Sequence, residues 1–337
     1  MRMHQHRQTV RNPLMKKSAK KSPSKKKSAP NAEIAAAMRQ MEKLMSSGDL
    51  ITQGDLDALL ASLHGPSATD GLSDAEADAR DEAQELAFSA MEAESEAQVR
   101  KLAKRALAKD PDCVDALVVL AGVESDSPKK MIEAMQKAVA AGERSLGTKF
   151  FNENTGHFWG LLDTRPYMRA TEQLAGLLRA EGFNLDAIRH YEKMLALNPN
   201  DNQGVRDPLL GLYLALGSLD EAGKLLQTYK EDASANFAWG RTLERFLSAD
   251  LTGATAALRK ARKGNRFVEL YLSGQKGLPK EMPEMYSPGS DEEAILVLDY
   301  MSLAWAEHKE AVFWLMEQLM AGTASKATPA RTGKRVQ

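Results

Sequence analysis

Apolar residues return every three or four positions along most of this chain, the spacing that gathers them on one face of an α-helix. The stretch 166–201 shows it best. Tyr167, Leu174, Ala175 and Leu178 share one face, and Ala187, Ile188, Tyr191, Met194 and Leu195 share a second. Gly182, between the two, tolerates the positive φ of a helix C-terminus. Pro199 lacks an N–H and stops the second helix. The same two-helix beat is predicted upstream at 73–93 with 96–109, and at 113–123 with 128–141, where Ser127-Pro128 opens the second helix. It continues downstream at 208–216 with 219–229, and at 235–247 with 251–262. Two stretches interrupt it: 142–165, crowded with Phe150, Phe151, Phe158 and Trp159, and a proline-rich strap at 264–290. Ser290 and Glu293 then form a capping box before a helix at 294–307, and a last helix is predicted at 310–320.

No strand pattern competes, so the expected class is all-α, with five to six helix pairs over 73–321. One helix pair cannot hide its apolar face alone, and stacked pairs can. In this register Ala187, Tyr191, Leu195 and Pro199 pack between helices. Residues 1–32 are expected to be a disordered basic tail, 33–64 a short helical hairpin, 65–72 a linker and 322–337 a disordered tail.

Small Ala187, an aromatic four residues later and the closing Pro199 resemble a tetratricopeptide (TPR) repeat. Gly182–Ala187 and Gly217–Ala222 repeat that spacing. The resemblance implies a right-handed superhelical solenoid whose groove, lined by the first helix of each pair, takes a peptide or a partner protein. The order YLSGQK, GSDEEAI, AW and AVFWL is similar to the C-terminal region of the suppressor-of-tumorigenicity-7 family. The segment FNENTGHFWGLLDTRPYMRA resembles uncharacterised bacterial TPR proteins. Neither similarity implies catalytic or ligand residues. LITQGDLDALL, within 50–63, is similar to the N-terminal peptide of the flagellar switch protein, which docks on a response regulator, and so suggests an adaptor helix.

Charge refines this picture unevenly. The net charge is −1, yet residues 1–30 hold ten Lys and Arg and no acid. Ten acids against Arg80 fall in 70–96. The tail lacks interleaved aromatics, so nucleic-acid contact is expected to be nonspecific at most. Cys113 is the single cysteine, which fits a reducing, cytoplasmic setting, and no apolar run is long enough to span a membrane.

Chemistry is sparse. Six His and one Cys show no metal-ligand spacing, no phosphate loop is followed by GK[ST], and no GxSxG occurs. No catalytic, cofactor or metal residue is predicted, and the leading expectation is a non-catalytic interaction scaffold. The one polar cluster is Glu153, His157, Asp163, Arg165 and Arg169, from which a small-ligand site or an enzyme could be built. Against that, Thr164 reads as the cap of the following helix and His157 as a buried, hydrogen-bonded histidine. Arg169, Thr171, Gln173, Arg206 and Arg241 are expected to face the groove, with Arg241 dispensable for stability.

Overall fold

The computed structural model describes residues 72–326, and among these every regular element is helical. The predicted 1–32 tail, 33–64 hairpin, 50–63 adaptor helix and almost all of the linker lie outside the described residues. In chain order the helices are α1 (Asp74–Met91), α2 (Glu96–Lys109), α3 (Val114–Glu124), α4 (Pro128–Asn154), α5 (Arg165–Ala180), α6 (Asn184–Leu197) and α7 (Arg206–Ala215). Then follow α8 (Leu219–Thr228), α9 (Ala235–Leu247), α10 (Leu251–Gly264), α11 (Phe267–Leu272), α12 (Asp291–Glu307) and α13 (Lys309–Lys326). Two short 3₁₀ turns, Phe158–Gly160 and Leu162–Thr164, stand between α4 and α5. No helix among the described residues is long and apolar enough to cross a membrane.

The chain divides into two compact units. One comprises Met1–Gly182 with Ala196–Pro199, the other Phe183–Leu195 with Asn200–Gln337.

In the first unit α1 and α2 form a hairpin, α3 packs on both, and α4 and α5 follow in turn. Alanines make the close approach possible: Ala83, Ala87, Ala106 and Ala116 cluster with Cys113, flanked by Leu86 and Leu107. The ends are set by side chains. The Ser73 N–H and Oγ both donate to the Glu76 carboxylate at the start of α1. Ser95 and Ser127 each accept an N–H from the first turns of α2 and α4.

The helix opening at Pro128 does not end at Ala141 as its sequence suggests. It runs on to Asn154 through a kink at Gly147, where φ is 73° and ψ 155°. Gly142, which reads as a breaker, instead serves a crossing: a Cβ there would lie 2.9 Å from Tyr167 Cδ2. Beyond the kink, Phe151 stacks against Phe158 at 4.9 Å and meets Tyr167 edge-on at 5.2 Å. The 142–165 stretch therefore supplies a core of aromatic rings. Thr164 does not cap α5 with its side chain; its hydroxyl donates to the Phe158 and Leu161 carbonyls and ties the two 3₁₀ turns together.

In the second unit Ala187 and Tyr191 of α6 are buried as expected, and Leu195 is half-buried. Pro199, which belongs with Ala196–Asn198 to the first unit, is exposed, a correction to its packing role; α6 buries Leu197 in its last turn instead. Every residue of α7 from Pro208 to Ala215 is buried. α12 accounts for much of this, since it packs across both α7 and α9. The crossing is tight. A Cβ on Gly211 would stand 2.0 Å from the Tyr300 carbonyl oxygen, and one on Gly240 would stand 2.6 Å from Leu210 Cδ2. Trp239 and Trp305, both almost fully buried, meet edge-on at 6.2 Å across the same seam. His308 Nε2 pairs with the Leu214 carbonyl at 2.8 Å. The expected strap begins with the short α11 and becomes irregular only after Leu272. α13 reaches Lys326, so the first residues of the expected C-terminal tail are helical.

Candidate functional site

Buried charge inside the first unit marks a place where polar chemistry converges beside a cavity. Asp115, 2% exposed, sits in the apolar α3 sequence VDALVVLAGVE. A carboxylate so placed must be paired. Arg169 Nη2 of α5 donates to both its oxygens at 2.9 and 2.6 Å, and Gln84 Nε2 of α1 donates to Oδ2 at 2.8 Å. Three helices are thus joined through one carboxylate.

Above this floor opens a cavity of about 430 Å³. α1 contributes Arg80, Asp81, Gln84 and Phe88, a stripe with roughly helical spacing. The segment before and into α5 contributes Leu162, Asp163, Arg165 and Arg169. Arg165 lies over the Trp159 ring, 5.5 Å from its centroid, and donates through Nε to the Trp159 carbonyl at 3.4 Å. Neither contact uses its two terminal nitrogens. At the rim Phe88 and Leu162 remain 52% and 63% exposed, so the cleft joins an apolar lip to a charged interior.

Cys113 also lines the cleft. Burial pushes its thiol up to about 11, helped by the Asp110 and Asp115 charges and opposed by backbone hydrogen bonds. A thiol held protonated is a poor nucleophile. Asp112, on the same wall, is occupied by Arg144 at 2.6 Å. These groups suit recognition better than proton transfer. Among the described residues no group of three His, Cys, Asp or Glu is placed to hold a metal ion.

The predicted polar cluster is split by the fold. Asp163, Arg165 and Arg169 come together at this cleft. Glu153 and His157 do not line it, and both are exposed. His157 is therefore not the buried histidine that its aromatic neighbours suggest; Phe158 takes the interior position.

The predicted groove residues separate in the same way. Thr171 is fully buried and donates to the Tyr167 carbonyl, which removes it from any groove. Gln173 is exposed. Arg206 bridges Asp201 at 3.3 Å and Asp232 at 2.9 Å and lies over the Tyr229 ring. Arg241 donates to the carbonyls of Tyr229, Lys230 and Asp232. Both arginines are tied into the second unit's own loops. No protein-family model matches the chain, and no curated protein matches it.

Sequence reasoning missed Asp115, Gln84, Arg80 and Phe88. One signal was present: a single acid near the start of an otherwise apolar helix needs a buried partner. Nothing in the sequence names Arg169, 54 residues away, as that partner.

Proposed function

We propose that this chain is a non-catalytic protein-interaction module, a tetratricopeptide-like array of helical hairpins, that takes a peptide segment of a partner protein in the cleft of its first unit. The repeat reading is supported by hairpins α1–α2 and α9–α10, the first packed on α3 and the second, through α9, on α7, α8 and α12 of its own unit. The observation that carries the binding reading is the exposed Phe88–Leu162 lip over the Arg165 and Arg169–Asp115 interior. Apolar anchors beside a few fixed polar groups are what peptide grooves offer. The face of α7 and α9, where a groove lined by first helices would lie, is covered by α12 and is not the site proposed. A cytoplasmic placement belongs to the same proposal, on the strength of the lone, protonated Cys113.

The test is panning of the full-length protein against a phage-displayed peptide library, followed by anisotropy titration of the enriched peptides. Phe88→Asp with Leu162→Asp changes exposed side chains and should preserve the melting temperature. It should weaken the selected peptides by about tenfold or more, ~1.4 kcal/mol. Equal affinity for both proteins would rule out the cleft.

A small-ligand site is the second reading, favoured because Leu162–Arg169 forms one wall of the cleft. Small carboxylates that raise the melting temperature of the wild type, but not of Arg165→Ala, would select it over the peptide reading.

A further inference from the structure

We infer that this chain self-associates through a helix–helix contact, in which the basic outer face of α10 lies antiparallel along the acidic outer face of α1 of a second copy. The inference goes beyond the peptide reading and does not depend on it, although Phe88 and Asp81 belong to both surfaces.

α10 turns Ala254, Leu258 and Ala261 into its own unit. Its other face carries Arg259, Lys260 and Lys263, all exposed, and Arg266 follows just past the helix end. Arg262, on the flank, is taken by Glu269. The other four enter no ion pair among the described residues. Lys263 suits the negative end of the helix dipole, but Arg259 and Lys260 lie a turn before it, where that field has faded.

α1 is the counterpart. It buries Ala83, Ala87 and Ala90 and presents on the opposite side Asp74, Asp78, Asp81 and Glu85, at positions i, i+4, i+7 and i+11. None of these four acids is in an ion pair among the described residues, whereas Glu82 beside them is taken by Lys109. Arg259 and Lys263 stand at the same spacing of four.

Register decides the orientation. With the helices antiparallel, Asp81 faces Arg259 and Asp78 faces Lys263, and the apolar ends coincide. Phe88, 52% exposed, lies ~10.5 Å along the axis from Asp81, and Leu251, 53% exposed, lies ~12 Å from Arg259. Parallel helices would set Phe88 beyond the cations and leave Leu251 without an apolar neighbour. Antiparallel packing also opposes the two helix dipoles. Leu251 favours a protein helix over a nucleic acid, and the ring beside the cations, Phe267, is already engaged by Arg266 and Lys276. A contact built on exposed charges is weak and sensitive to salt.

Sedimentation velocity on the full-length protein, across a concentration series, is the test. The mean sedimentation coefficient should rise with concentration at ~50 mM salt, and the apparent dissociation constant should weaken at least ~tenfold by ~500 mM. Asp78→Lys/Asp81→Lys and Arg259→Glu/Lys263→Glu change exposed side chains and should each weaken association at least ~tenfold. Mixed together the two variants should associate again, because the basic α10 of the first meets the acidic α1 of the second. Should a reversal lower the melting temperature, Asp78→Asn/Asp81→Asn and Arg259→Gln/Lys263→Gln are read in its place, each with the same direction of loss. A wild type that stays monomeric overturns the inference, as does association indifferent to salt or a mixture of well-folded variants that fails to recover. Loss in the α1 variant alone hands the acidic stripe to the lysine-rich residues 1–30 of a neighbour, and loss in the α10 variant alone hands the basic face to another surface. Either result overturns the α1–α10 pairing.

Discussion

Asp207, in the first turn of α7, receives a hydrogen bond from Asn236 Nδ2 at 3.0 Å. Burial pushes its carboxyl up to about 6; the Asn236 bond and Arg206 act against this, while Asp232 and Asp201 add to it. An unfolded chain releases that proton near pH ~3.9. Between about pH 4 and 6 the folded state thus holds a proton that the unfolded state has lost. The contribution to stability is complete below pH ~4 and is lost as pH rises through 6. Asp207→Asn removes the ionisation, so its melting temperature should match the wild type near pH 4 and exceed it at pH 7.5. A melt series across that range is the check, and parallel curves would contradict the assignment. Asp232, nearby, goes the other way: burial would raise it, but hydrogen bonds from Ser234 and the Arg206 charge bring it down. Single positions were the hardest to read from sequence. Ala187 and Tyr191 were legible because their spacing is local, whereas a slip of one residue turns a helical side chain by ~100° and buries Thr171 instead of exposing it.

Helices and their ends were more legible, for a physical reason. A cap or a glycine acts within four residues, so Ser127-Pro128, Ser290 and Gly182 announce their roles locally. Gly182 does adopt φ 80°. The failure was α4, where Gly142 and Gly147 look alike in sequence but differ in task. Gly142 admits the Tyr167 ring, and only Gly147 takes a left-handed φ. Arg241 belongs at this scale because it fastens the loop between α8 and α9 through three carbonyls while lying over the Phe237 ring. Arg241→Ala, expected from sequence to be neutral, should instead cost ~1–3 kcal/mol. Arg241→Lys should recover only part of this, since an ammonium lacks the planar fork. Denaturant midpoints of the two variants decide it, and a wild-type midpoint for Arg241→Ala would refute the clamp.

For the molecule as a whole, an all-helical chain follows from periodicity alone, but periodicity does not say which helix faces which. The placement of α12 over α7 and α9 is a contact between segments some 60 to 90 residues apart, and no local pattern encodes it. Gly211 and Gly240 are its traces in sequence, and a helical glycine says little until Tyr300 or Met301 is seen against it. Gly211→Val should therefore destabilise the second unit by more than ~3 kcal/mol, since the clash is with backbone that has no rotamer to change. Calorimetry showing unchanged melting in Gly211→Val would exclude so close a crossing. The Trp239–Trp305 pair in that seam also governs how the protein looks in a fluorimeter. Three of the four indoles, at 239, 305 and 314, belong to the second unit, and Trp159 beneath Arg165 is the sole indole of the first. Emission followed through a melt is weighted toward one half of the chain. With Trp159 replaced by Phe, the remaining indole emission comes entirely from that half.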